Sequence, residues 1–89
     1  MESTKMKAAL YIIDECDVLS ITEDDKAMIV SVFGEIISEL KGYGLALKTE
    51  INVQYAILKE SVWSNGYFCE VARKMCFILY PYVKILERM

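Results

Sequence analysis

From Phe68 to Met89 the apolar side chains recur in alternating steps of three and four: Phe68, Val71, Met75, Ile78, Tyr82, Ile85, Met89. That spacing keeps one face of a helix apolar for about three heptads, and no other pattern in the chain runs as long. Pro81 lies inside it. Proline cannot donate to the Phe77 carbonyl and its ring clashes there, so a kink is expected near 77–81. Because the pattern continues past the proline, one kinked helix is expected and not two separate ones.

The clearest helix start is Thr22-Glu23-Asp24-Asp25. A hydroxyl stands at the N-cap, three acids fill the first turn, and Asp25 is placed to close a capping box. Ile29, Phe33, Ile36 and Leu40 follow at helical spacing, with Val30 and Ile37 widening the stripe. Gly42 is expected to supply the left-handed stop, with Lys41 favourable at the C-terminal end of the dipole. An earlier helix, capped by Ser3 or Thr4, is expected to reach Leu19 through Met6, Leu10, Ile13 and Asp17.

The segment 43–57 supports two readings. Every second residue gives Tyr43, Leu45, Leu47, Thr49, Ile51, Val53, Tyr55 and Ile57, a strand alternation. Helical spacing gives Leu47, Ile51, Tyr55, Leu58 and Val62. Strands usually run about 3–10 residues, and no turn divides this run into a hairpin, so helix is preferred. Ser64-Asn65-Gly66 is a turn by composition. The expected fold is therefore a single all-α domain over 1–89: an antiparallel bundle of four helices at about 4–19, 23–41, 45–63 and 67–88. The alternative is an α+β fold with strands in 43–57.

Composition narrows the classes further. Hydrophobic residues make up 55% of 89, which excludes disorder. The longest uncharged stretches, Ser61–Cys69 and Met75–Val83, are nine residues each, far short of the ~20 that a spanning helix needs. Asp14 interrupts the Ala8–Ile13 apolar run, so no signal peptide is expected. With Cys16, Cys69 and Cys76 an odd set without a CxxC pair, reduced thiols and a cytoplasmic location are expected. So short a chain carries more apolar side chains than one small core encloses, and a two-fold dimer is the expected outlet, through Trp63, Tyr67, Phe77, Tyr80 and Tyr82.

Chemistry-bearing motifs are sparse. The chain has no histidine, which excludes Ser-His-Asp and Cys-His arrangements. No nucleophile elbow or phosphate-binding loop occurs. A calcium loop begun at Asp14 would meet Cys16, Val18 and Leu19 where oxygen ligands and glycine are required. No catalytic residue, metal or cofactor is expected, and the protein is read as non-enzymatic.

Two surfaces remain. Asp14, Glu15, Asp17, Glu23, Asp24 and Asp25 form an acidic corner with no basic residue between the first and the last. Removing them from the 13 acidic residues leaves 7 against 10 basic ones, a net of +3. The corner serves either as solvated capping charge or as a docking site for a basic partner. The second surface is the face of the last helix opposite its apolar seam, where Arg73, Phe77, Tyr80, Lys84 and Arg88 fall. Either a register shift at Pro81 buries its aromatics, or the face is an interface, since aromatic plus Arg is what interfaces favour. A nucleic-acid stacking surface would share that composition, but the net charge of −3 opposes it. The expected function is a protein-binding module of inhibitor, adaptor or regulatory-subunit type. Its expected interface is Trp63, Tyr67, Arg73, Phe77, Tyr80, Tyr82 and Lys84, with the acidic corner as a docking element. The alternative is a small-molecule or nucleotide binder with a pocket between helices or at a dimer seam.

Overall fold

The computed structural model describes residues 19–60 and 64–88, with the side chains at 86 and 87 left aside. Three helices account for all regular structure among the described residues: α1 Glu23–Gly42, α2 Thr49–Lys59 and α3 Asn65–Glu87. The described part is thus all-helical, and no strand occurs in 43–57. The helix expected over 4–19 lies outside these residues except for Leu19, which sits in a turn. Three helices are therefore described where four were expected.

Helix α1 begins as its sequence dictates. The Thr22 hydroxyl accepts from the Asp25 N–H at 3.1 Å, and the Thr22 N–H donates to the Asp25 carboxylate at 3.0 Å. This reciprocal pair satisfies two backbone donors that a helix start would otherwise leave open. Ile29, Phe33, Ile36, Ile37 and Leu40 are buried along one face. The stop is displaced from Gly42 to Gly44, the glycine with φ +80. There the Gly44 N–H donates to the Lys41 carbonyl at 2.9 Å and the Leu45 N–H to the Leu40 carbonyl at 3.3 Å. Those two bonds make a Schellman motif, and its usual apolar contact falls to half-buried Leu45 beside buried Leu40.

The chain then runs extended to Lys48, whose N–H donates to the Tyr82 hydroxyl at 3.1 Å. Helix α2 consequently starts at Thr49 and not at Leu45, and it ends at Lys59, before the expected 63. Burial shows why helix prevails over strand. Ile51 and Leu58 are fully buried and Tyr55 half-buried, while Val53 is 48% exposed. A strand would put Val53 on the face of Ile51 and Tyr55; a helix turns it to solvent. Tyr55 also crosses α1 closely at Gly34, where an added Cβ would lie 2.5 Å from the tyrosine hydroxyl.

Ser64-Asn65-Gly66 is not a turn between helices. Ser64 caps α3, its hydroxyl accepting from the Tyr67 N–H at 3.3 Å and its carbonyl from the Phe68 N–H at 2.9 Å. Asn65 and Gly66 form the first helical turn, and the Asn65 amide donates to the Ile21 carbonyl at 3.4 Å, tying α3 to the segment before α1. Helix α3 continues through Pro81 to Glu87. Its buried seam differs from the heptad reading at the C-terminal end. Phe68, Val71 and Met75 are buried as expected, but then Leu79 and Val83 are enclosed while Ile85 is 45% exposed. A strict seven-residue repeat drifts by about 20° per heptad around a 3.6-residue helix, so by the third heptad the stripe has rotated off the core. Cys69 and Cys76 are buried and serve as small apolar members of this seam.

Candidate functional site

Each α-helical residue advances about 100° around the axis, so burial of one face of α3 fixes what the other presents. With Phe68, Val71, Ala72, Met75, Leu79 and Val83 inward, the outward arc centres on Phe77. Arg73, Lys74, Tyr80, Pro81, Lys84 and Arg88 share that arc and are exposed, with Glu70 the acidic residue beside them. Phe77 is 83% exposed and Tyr80 49%. The helix continues past Pro81 without turning either aromatic into the core.

The arc is ordered along its length. Arg73 and Lys74 stand one turn before Phe77, and Lys84 stands one turn after Tyr80. The Lys84 ammonium sits 5.3 Å from the Tyr80 ring centroid, within cation–π range. The result is a cationic–aromatic–cationic stripe on a rigid helix. Large aromatics are uncommon on solvated faces, and an exposed one flanked by basic side chains has the composition of a contact surface.

Other expected site residues are placed differently. Tyr67 lies at the margin of the arc, 40% exposed. Tyr82 packs against the core half-buried and spends its hydroxyl on the Lys48 N–H, so it belongs to the seam and not to the outward face. Trp63, Asp14, Glu15 and Asp17 lie outside the described residues. Of the acidic corner, Asp25 closes the capping box and Glu23 pairs with Lys26 at 3.5 Å, while Asp24 is exposed. Lys74, Glu70, Pro81 and Ile85 were missed by the sequence reading. Projecting the helix about Phe77, instead of about the heptad seam, would have found them.

A cleft of about 290 Å³ lies where the start of α1, the end of α2 and the start of α3 meet. Its walls include Glu23, Lys26, Val30, Leu58, Lys59, Glu60 and Phe68. The Lys26 side chain, only 12% exposed, pairs with Glu23 and holds its ammonium 5.8 Å from the Phe68 ring centroid. The cleft's volume is near the lower end of ligand sites. Among the described residues no group of three or more His, Cys, Asp or Glu side chains could hold a metal ion, and no helix is long and apolar enough to cross a membrane. Comparison with known protein families, curated proteins and solved structures found no match.

Proposed function

We propose that this protein is a non-enzymatic, helical protein-binding module of inhibitor, adaptor or regulatory-subunit type, and that the outward face of α3 is its contact surface. The observation that carries this reading is Phe77, a large apolar ring 83% exposed on a helix whose opposite face is packed into the core. Anchoring aromatics with Arg alongside dominate binding energy in protein interfaces. The buried thiols at Cys69 and Cys76 suit a reducing compartment, which supports a cytoplasmic setting. The test is co-purification with the wild-type chain and with Phe77→Ser. A stoichiometric partner recovered with the first and lost with the second supports the module; a partner recovered equally with both removes α3 from the contact.

A second reading rests on the cleft beside Lys26 and Phe68, whose apolar wall carries the ammonium groups of Lys26 and Lys59 together with the carboxylates of Glu23 and Glu60, a mixed lining for a small polar ligand. A thermal shift with nucleotides or anionic metabolites that disappears on Lys59→Ala, with no protein partner recovered, would favour it. The dimer expected from the apolar surplus has weaker support. Pairing this face with its own copy, parallel or antiparallel, sets basic side chains against basic ones.

A further inference from the structure

The protein-binding reading leaves the partner's chemistry open, and the order of side chains along α3 narrows it. Arg73, Lys74, Lys84 and Arg88 are four of the chain's 10 basic residues, and all are exposed, three on this helix and Arg88 in the turn that follows it. The rest of the chain is acidic: outside α3 and Arg88 it carries 6 basic residues against 11 acidic ones. Positive charge is therefore concentrated on the one helix whose outward face also exposes Phe77 and Tyr80. Helical rise puts Lys74 and Lys84 about 15 Å apart along the axis, with Phe77 and Tyr80 between them.

Resting on that reading, we infer that α3 binds an acidic amphipathic segment of another protein, in which carboxylates about 15 Å apart, facing Lys74 and Lys84, flank an apolar side chain that covers Phe77. Charge complementarity selects this occupant over a second copy. In an antiparallel pairing centred between Phe77 and Tyr80, Lys74 of one copy faces Lys84 of the other; in a parallel pairing each basic residue faces its equivalent. Like charges brought together across an interface repel wrong partners. Of the acidic corner, Asp25 is held in the capping box and Glu23 pairs with Lys26, which leaves Asp24 exposed among the described residues; docking of another copy through that corner is an outcome that light scattering reads.

Nucleic acid and an anionic membrane are the competing acidic surfaces. A chain of net charge −3 repels a polyphosphate beyond the reach of one helix face. Insertion into a membrane would engage little beyond Phe77 and Tyr80, because the apolar face of α3 is already committed to the core.

The experiment titrates the full chain with four probes: a helical peptide carrying Glu pairs on either side of a central Leu, its Lys-substituted counterpart, a single-stranded oligonucleotide, and phosphatidylserine-containing vesicles. Binding of the acidic peptide alone is expected, weakening at least tenfold between low and physiological salt because exposed charges are screened. Phe77→Ser and Lys84→Glu are each expected to reduce it tenfold or more, with helical circular dichroism and melting temperature unchanged. Equal binding of both peptides, or tighter binding to oligonucleotide or vesicle, overturns the inference. So does a concentration-dependent dimer by light scattering that Phe77→Ser abolishes. A natural partner lost with Phe77→Ser but indifferent to Lys84→Glu would leave the module standing and remove the acidic partner.

Discussion

Gly34 sits inside α1 where α2 crosses it, and substitution there sets two effects of opposite sign against each other. Alanine in a helix interior is favoured over glycine by about 1 kcal/mol. Its Cβ, however, would lie 2.5 Å from the Tyr55 hydroxyl and 3.4 Å from the ring carbon that bears it. The hydroxyl must retreat by about 1 Å to reach ordinary contact distance. Tyr55 is half-buried, with the Lys59 ammonium 4.7 Å from its ring centroid, so the ring cannot swing without disturbing that contact. Overpacking of this kind costs about 1–3 kcal/mol. Gly34→Ala should therefore destabilise by about 0–2 kcal/mol. In a Tyr55→Phe background only the 3.4 Å contact remains, and the same substitution should stabilise by up to about 1 kcal/mol. Urea unfolding of the four proteins, followed by helical circular dichroism, gives the coupling energy directly. It should be about 1–3 kcal/mol, the overpacking term itself. An equal effect of Gly34→Ala in both backgrounds would refute the close crossing of α1 and α2.

Three further substitutions test the termini and the proline. Thr22→Ala removes the hydroxyl that accepts from the Asp25 N–H, leaving the bond from the residue 22 N–H to the Asp25 carboxylate, and should cost about 1 kcal/mol in urea unfolding. Tyr82→Phe keeps the ring in the seam but loses the bond from the Lys48 N–H, for about 0.5–1.5 kcal/mol. Pro81→Ala should raise the melting temperature, because α3 already runs through this exposed position and alanine restores a donor to the Phe77 carbonyl. A lower melting temperature for that variant would contradict a continuous α3.

The parts of the fold legible in sequence were those specified by contacts within a few residues. Thr22 and Asp25 are three apart, and their reciprocal bonds follow from residue type and spacing alone. The stop of α1 was legible only as a glycine near 42–44, because a Schellman motif needs Leu45 against Leu40 to decide which glycine takes positive φ. Segment 43–57 was ambiguous for a different reason. Alternation and helical spacing coexist in it, and only the enclosure of Ile51 and Leu58 by α1 and α3 separates them. Ser64-Asn65-Gly66 looked like a turn because cap and turn draw on the same residues; the Asn65 bond to Ile21, 44 positions away, lies beyond any local pattern.

The outward face of α3 was legible in part, and its missing members share one cause. A heptad fitted from Phe68 assigns Ile85 to the core and leaves Leu79 and Val83 unexplained, yet the last two are fully enclosed. Correcting for the drift of a straight helix moves the seam onto Leu79 and Val83 and releases Ile85 to the margin beside Lys84. The same rotation carries Lys74 and Pro81 onto the arc around Phe77. Core and outward arc are thus two readings of one helical phase, and an error in one is an equal error in the other. Because the two faces share no side chain, Phe77 and Lys84 can change without touching the residues that hold α3 in place. The outward arc is free to vary, while Met75, Leu79 and Val83 are constrained by the fold.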